Sequence, residues 1–216
     1  LSPSKDGAAV KRVRALIRQW KPDVVYCHSS KGGGIGRLAA LGLGVKVMYN
    51  PHGWAFSMKG SKVKSWIYLM IERTLAHATD QFVMISNYEK MLAVQRHVGK
   101  ADRMKVIFNG VDTENIRKTA ALSMISRRDV GIPEDAYVIG MVGRISPQKA
   151  PDVFVRMAAE VVKKIPKAWF VIVGDGEQRE EILALAEQLG IADRLTITGW
   201  TENPIDYMKL FDQAVL

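Results

Sequence analysis

Short apolar segments rich in β-branched residues alternate with amphipathic segments of helix length along the whole chain. "DVVYCH" is followed by "GIGRLAALGLG", for example, and "YVIGMVG" is followed by a helical pattern in "PDVFVRMAAEVVKKI". Continuous apolar strands that alternate with helices are typical of βαβ units, in which helices cover both faces of a parallel sheet. The sequence therefore predicts an α/β fold.

This alternation stops between about residues 110 and 135, where the chain is polar and irregular and has no strand candidate. A length of 216 residues suits one large domain or two small ones. Domain boundaries fall in exposed stretches of this kind. We therefore predict two α/β domains, covering residues 1–115 and 116–216.

The composition indicates the class of partner. Lys and Arg total 31 against 22 acidic residues, so the net charge is +9. This excess favours anionic partners such as phosphorylated small molecules or anionic lipids, although it is also compatible with an ordinary basic surface. No nucleic-acid-binding motif is present, and we predict no nucleic-acid partner. No apolar run reaches the roughly 18 residues of a membrane span.

Cys27 is the only cysteine, so the chain can form no internal disulfide and no site with several cysteine ligands. A single cysteine fits a reducing compartment, and we predict a cytoplasmic protein. The sequence also lacks a G-x-S-x-G turn, an HExxH motif, an Asp-x-Asp pair and a complete dinucleotide fingerprint. We therefore predict no metal site and no bound cofactor.

Ligands of parallel sheets bind beyond the carboxyl ends of the strands. In the second half, "GRISPQK" follows such a strand, and Gly143 allows close approach of the backbone. Arg144 and Lys149 flank the start of the next helix, where Pro151 is well placed in the first turn. Arg144 offers a fork of donors for phosphate oxygens and Lys149 a point charge, unless both are ordinary loop cations.

The next two strands of this half are also followed by residues that could contact a ligand. Gly174, Asp175 and Gly176 form a "GDG" turn that could approach a ligand or could only begin a helix. Gly199 and Trp200 end the third strand, where the indole could meet an aromatic base or fill the end of the sheet.

The first half has its own candidate residues at strand ends. His52, followed by a glycine in "NPHGW", is a candidate for the cleft side, although a lone histidine is often structural. The "HSSKGGGIGR" turn contains Ser29, Lys31 and Gly33, which could bind an acceptor. It is not a Walker sequence, because its lysine precedes the glycines.

Asn109 and Gly110 lie at the end of this half, in "NGVD". Both residue types favour turns, and this turn could act as a hinge.

These motifs together, in the order "HG", "NGVD", "GRISPQKAPD", "VGDGE" and "TGW", resemble glycosyltransferase family 4, which has the GT-B fold. The resemblance covers essentially the whole chain and is most specific over residues 138–200. The "HSSKGGGIGR" and "PHGW" segments are most similar to bacterial members that build capsule, exopolysaccharide or lipopolysaccharide chains.

The resemblance implies two Rossmann-like domains, with residues 1–115 on the acceptor side and residues 116–216 binding the nucleotide-sugar. It also implies a retaining transfer of sugar, with UDP- or GDP-sugar as donor and a saccharide or lipid-linked acceptor. By this resemblance, Arg144 and Lys149 would bind the donor diphosphate, and Gly143 would leave room for it. "VGDG" and "TGW" would line the nucleotide side, and His52 would lie near the transferred sugar. The family generally needs no divalent cation.

The resemblance also implies that segments of the family lie outside this chain on both sides. These are the first strands of the acceptor domain and a later pair of glutamates that holds the donor. We therefore expect both domains to be incomplete here and the 216 residues alone to be inactive.

Two other functions remain open at this stage. They are a related sugar-nucleotide 2-epimerase, for which we find no acid–base carboxylates, and a non-catalytic nucleotide-binding module. A lipid-linked acceptor would also predict peripheral contact with the inner face of an anionic membrane. The basic residues expected to gather for it are Lys11, Arg12, Arg14, Arg18, Lys59, Lys62 and Lys64.

Overall fold

A computed structural model describes residues 3–58 and 60–216. Lys59, which belongs to the predicted basic patch, lies outside the described residues. The chain divides into two compact units, Leu1–Gly110 and Val111–Leu216. The division falls slightly before residue 115, where the sequence analysis placed the domain boundary.

Unit 1 is a parallel four-stranded sheet in the order β1-β2-β3-β4. Its elements in chain order are α1 (Pro3–Trp20), β1 (Val24–His28), α2 (Ser30–Ala40), β2 (Lys46–Asn50), α3 (Lys62–Leu75), β3 (Gln81–Met84), α4 (Asn87–Gln95) and β4 (Met104–Val106). Its core contains Tyr49, Trp54 and Phe82, whose aromatic rings contact one another edge-on.

Unit 2 is a second parallel four-stranded sheet, in the order β7-β6-β5-β8. Its elements in chain order are α5 (Thr113–Leu122), β5 (Tyr137–Val142), α6 (Pro151–Val162), β6 (Ala168–Val173), α7 (Arg179–Gln188), β7 (Leu195–Ile197), α8 (Ile205–Met208) and β8 (Gln213–Ala214). Phe154 of α6 packs edge-on against Phe170 of β6 in its core. The two sheets confirm the predicted α/β class.

The stretch that we expected to be irregular contains a helix, α5. Asp112 caps this helix by accepting a hydrogen bond from the backbone N–H of Asn115 at 3.0 Å. No residue of α5 is buried, so this helix lies on the surface of unit 2. Lys209 Nζ donates to the carbonyl oxygen of Ser123 at 2.6 Å. This bond joins the end of α5 to the end of α8 within unit 2.

One arginine of the predicted basic patch, Arg14 of α1, contacts the neighbouring helix. Arg14 Nη1 donates to the carbonyl oxygens of Ala39 at 3.0 Å and Leu41 at 2.6 Å. These carbonyls stand at the end of α2, where a helix leaves acceptors without partners. Arg14 therefore fastens α1 to α2.

Candidate functional site

Three loops of unit 2 meet at the carboxyl edge of its sheet, after β5, β6 and β7. They enclose an open cavity of about 570 Å³. Its lining is Val142, Gly143, Arg144, Val173, Gly174, Asp175, Gly176, Trp200, Thr201 and Pro204. Most of the residues that the sequence analysis chose in this half therefore lie around one cavity.

The glycines allow the first two loops to pack backbone against backbone. A Cβ on Gly174 would overlap the carbonyl oxygen of Gly143, and a Cβ on Gly176 would overlap that of Ile145. The loops are also joined by hydrogen bonds, because Ile145 N donates to Asp175 O at 3.0 Å and Gln178 N donates to Ile145 O at 3.2 Å. The backbone of this cavity is therefore fixed before any ligand arrives.

Arg144 forms an ion pair that the sequence did not predict. Its Nε and Nη2 each lie 3.0 Å from Glu177 Oε2, across the two loops. Both side chains are exposed, and an exposed ion pair contributes little stability. An arriving anion can therefore compete with Glu177 for the guanidinium.

Lys149 lies beside Gly143 at the end of the same loop. Its Cε is 3.5 Å from the position that a Cβ on Gly143 would occupy. Gly143 has a φ of 157°, a conformation that other residues rarely adopt. The next helix, α6, begins with Pro151 as the sequence predicted, so Arg144 and Lys149 both belong to the loop that leads into a helix N-terminus.

The third loop closes the cavity beside the second. Gly199 forms an isolated bridge with Gly174, and its φ of 78° is left-handed. Trp200 follows it and is 74% exposed, so the indole does not fill the end of the sheet. Its ring is accessible at the cavity wall.

In unit 1, two histidines meet at the carboxyl edge of the sheet. His28 ends β1 and His52 follows β2, and their Nδ1 and Nε2 atoms lie 2.8 Å apart in a hydrogen bond. The rings are stacked, with centroids 5.1 Å apart. His52 has a left-handed φ of 50°, and its backbone N–H donates to Asn50 Oδ1 at 3.1 Å. The sequence analysis chose His52 but missed His28.

The glycine-rich turn of unit 1 has a structural explanation at Gly33. A Cβ there would overlap the ring of Tyr49, so this helix position requires glycine for packing. Ser29 has a φ of 60° and precedes α2. Lys31 forms an ion pair with Asp6 at 2.9 Å and lines a largely apolar cavity of about 510 Å³ between α1, α2 and α3. Whether an acceptor binds at this turn stays a prediction.

Asn109 and Gly110 are exposed and lie outside helices and strands, at the division between the two units. Their role as a hinge stays a prediction.

A buried charged cluster supports the edge of the unit 1 sheet, and the sequence analysis missed it. Arg37 of α2 is fully buried, and its Nη2 donates to Glu72 Oε2 of α3 at 2.8 Å. Tyr49 Oη donates to Glu72 Oε1 at 3.0 Å, and the Arg37 guanidinium lies 3.9 Å from the centre of the Tyr49 ring. Burial, followed by the nearby Glu72 carboxylate, raises the pKa of Tyr49 well above its usual range.

Two further observations concern the described residues, 3–58 and 60–216. No helix among them is both long and apolar enough to span a membrane. No three of their His, Cys, Asp or Glu side chains are grouped so that they could hold a metal ion. Cys27 is a buried free thiol, and burial raises its pKa.

Solved structures share this fold at low sequence identity. Anabaena HepE in complex with UDP-glucose superposes with a TM-score of 0.75 at 21% identity, over 95% of this chain and 55% of that chain. The two parallel sheets of this chain have the GT-B fold that its structural neighbours share.

Two named relatives match by sequence. An Escherichia coli UDP-Gal:α-D-GlcNAc-diphosphoundecaprenol α-1,3-galactosyltransferase is 30% identical over 100% of this chain and 57% of its own length. A D-inositol 3-phosphate glycosyltransferase from Thermobispora bispora is 30% identical over 97% of this chain and 52% of its own length. The chain therefore spans little more than half the length of these relatives.

Family profiles cover both units. The profile described as Glycosyltransferase Family 4 matches residues 1–115, and the profile described as Glycosyl transferases group 1 matches residues 124–216. The first match alone covers more than half of the chain, and it confirms the resemblance found in the strand-end motifs. The chain belongs to glycosyltransferase family 4.

Proposed function

We propose that this chain is part of a retaining glycosyltransferase that moves a sugar from a nucleotide-sugar to a saccharide or lipid-linked acceptor. The observation that carries the proposal is the cavity of unit 2, where Arg144 lies on a glycine-lined edge and Lys149 lies beside Gly143 of the same edge. Backbone that can approach closely, together with two cations near a helix N-terminus, suits the diphosphate of a sugar nucleotide.

The proposed chemistry is electrostatic. When the bond between the sugar and the diphosphate breaks, negative charge grows on the departing nucleoside diphosphate. Arg144 would exchange its exposed pair with Glu177 for two phosphate oxygens, and Lys149 would add a second positive charge. Donors that are already in place stabilise such a charge without reorganising at the moment of reaction.

The other predicted residues have assigned roles in this proposal. Trp200, exposed at the cavity wall, would stack on the nucleotide base. Gly174, Asp175, Gly176 and Gly199 would shape the nucleotide side. His52, at the carboxyl edge of unit 1, would meet the transferred sugar.

Names of similar proteins support the substrate classes. The Escherichia coli relative uses a UDP-sugar and a diphosphoundecaprenol acceptor, according to its name. HepE structures contain UDP or UDP-glucose. We therefore propose a UDP-sugar donor and a lipid-linked acceptor in the synthesis of a surface polysaccharide. We also propose a cytoplasmic location, peripheral on the inner face of the membrane, because a lipid-linked acceptor would be met there.

The test is nucleotide binding by the chain with and without its two cations. UDP and GDP are titrated against the wild type, Arg144→Ala and Lys149→Ala, and binding is measured by thermal shift and NMR. We expect each replacement to weaken UDP binding. In a protein of the relatives' full length, we expect turnover to fall roughly 10²- to 10³-fold, the scale for one lost transition-state donor.

Arg128→Ala is the matched control, because Arg128 is also an exposed arginine of unit 2 paired with a glutamate, Glu134, at 2.9 Å. This control should bind UDP as the wild type does. Equal UDP binding by the wild type and by both cation variants would refute the diphosphate assignment.

A further inference from the structure

Helix α3 exposes an apolar face on the side opposite its packed face. Val63, Trp66, Ile67 and Ile71 are 67%, 62%, 42% and 39% exposed. Their spacing places them on one side of the helix, since residues three and four apart are neighbours. The packed side of the same helix contributes Leu69 and Leu75 to the buried residues. We call the four exposed residues the α3 face.

Apolar surface continues beyond the α3 face at both ends. Met58, which is 62% exposed, lines a surface cavity with Trp66. Leu38 of α2, which is 43% exposed, lines the neighbouring cavity with Ile71. Scattered exposed apolar residues need no explanation, but a contiguous patch that includes a tryptophan marks an interaction surface.

The exposed charged residues in the first turn of α3 are of one sign, and the acid that lines the neighbouring cavity, Asp6, is paired with Lys31 at 2.9 Å. Lys62 and Lys64 lie on either side of Val63 in the first turn of the helix. The sequence from 54 to 71 contains no Asp or Glu, and the one carboxylate of α3, Glu72, is buried against Arg37. Long lysine side chains beside an apolar face keep their ammonium groups in the headgroup layer while their stems cover apolar surface.

We infer that the α3 face lies in the surface of an anionic lipid bilayer. A tryptophan and aliphatic side chains on one face, flanked by lysines without exposed acids, are the features of a helix that binds in the plane of a membrane interface. Lysines near an anionic leaflet add electrostatic attraction. The rim of a protein–protein interface is polar and is hydrogen-bonded through donors and acceptors. The first turn of α3 instead carries only lysines beside the apolar residues, which match an anionic headgroup layer.

Helix α3 lies close in the chain to the candidate residues of unit 1. The helix begins after the loop that follows β2, which is the loop that carries His52. Helix α3 therefore starts at the carboxyl edge of the unit 1 sheet, and binding through its face would hold that edge near the bilayer. This consequence rests on the proposed lipid-linked acceptor, whereas the binding itself needs no sugar donor.

The experiment measures binding of the chain to vesicles of phosphatidylcholine with and without phosphatidylglycerol, by flotation at increasing salt. Trp66→Gln/Ile67→Gln should bind anionic vesicles roughly tenfold more weakly or worse, because binding scales with the apolar area inserted. Lys62→Gln should bind about fivefold more weakly, which corresponds to about 1 kcal/mol per cation. This lysine effect should shrink as salt rises.

Trp20→Gln is the matched control. Trp20 is 71% exposed at the end of α1, so the change removes an equally accessible indole that lies outside the α3 face. This control should bind vesicles as the wild type does. A second readout is quenching of indole fluorescence by brominated lipid, which should be lost in Trp66→Phe and kept in Trp20→Phe.

Equal vesicle binding by the wild type and Trp66→Gln/Ile67→Gln would overturn the inference. So would concentration-dependent self-association in sedimentation that this double variant abolishes, since the α3 face would then contact a second copy of the chain. Hydrogen exchange of the β2 and β3 amides on the same samples shows that unit 1 of the variants is folded, and UDP binding is measured alongside as a property of unit 2. A chain that binds UDP but not vesicles refutes only the membrane inference, and the reverse result refutes only the nucleotide site.

Discussion

The hydrogen bond between His28 and His52 requires that one ring donates a proton and the other accepts it. His52 therefore uses Nε2 for this bond, and its Nδ1 is the ring nitrogen left for a substrate. Second partners of this kind fix the orientation of a functional imidazole. Sequence reasoning found His52 because it ends a strand before a glycine, but His28 is 24 positions away and only folding brings the two together.

At the scale of this residue pair, we predict that His52→Asn lowers turnover in a protein of the relatives' full length by about 10²-fold, the lower end of the range for one lost transition-state hydrogen-bond donor. Asparagine is chosen because it tolerates the left-handed backbone at this position. His28→Asn should have a smaller effect, since it removes only the positioning bond. The free energy of unfolding should change by about 0.5 kcal/mol or less for these exposed residues.

The matched control is His97→Asn. His97 is exposed and has a left-handed φ of 54°, so the change repeats the chemistry at a comparable backbone position away from the strand ends. Turnover should be unchanged in this variant. Unfolding of His52→Asn, with His97→Asn folded, would show that His52 is structural.

At the scale of elements, the charged cluster of Arg37, Tyr49 and Glu72 joins α2, β2 and α3 below the edge that carries the histidines. A second terminal nitrogen of Arg37, Nη1, is buried without a hydrogen-bond partner among the residues the structure describes. Burying charges is costly, and removing one partner leaves the other charge without compensation.

We predict that Arg37→Met lowers the free energy of unfolding by about 3–5 kcal/mol, because the Glu72 carboxylate is left buried. The double variant Arg37→Met/Glu72→Leu should recover most of this loss, since an apolar pair of similar volume replaces the ions. Urea unfolding followed by circular dichroism measures both. Lys163→Met is the control, because its pair with Glu160 is exposed and should contribute about 1 kcal/mol or less. A single variant as stable as the wild type would contradict the prediction.

The elements show what a sequence pattern can and cannot reveal. β5 and β6 are predictable because a short apolar run that ends at a glycine fits a strand covered on both faces. Helix α5 is not, because no residue of it is buried and its start depends on the cap at Asp112. The pairing of Arg144 with Glu177 is also hidden, because it depends on how two loops pack around Gly174 and Gly176.

At the scale of the whole molecule, each unit has its own core and its own parallel sheet. The chain between them, residues 107–112, is exposed and outside helices and strands. The sequence predicted this organisation because the strand–helix alternation stops and then resumes. It could not predict the chemical partners of the strand-end residues, since those partners come from other loops of the same unit.

We therefore predict that the two units unfold independently and that UDP stabilises only unit 2. Hydrogen exchange on the whole chain, with and without UDP at about 100 times its dissociation constant, measures this. Some amides of β5 and β6 exchange only when their unit unfolds, and the exchange rate of these amides should fall about 100-fold. This fall corresponds to a gain of about 2.7 kcal/mol in the free energy of unfolding of unit 2. Amides of β2 and β3 should be unaffected, because a ligand stabilises only the cooperative unit that binds it. Equal slowing in both sheets would show that the units unfold together, and no slowing in β5 and β6 would contradict UDP binding at the unit 2 cavity.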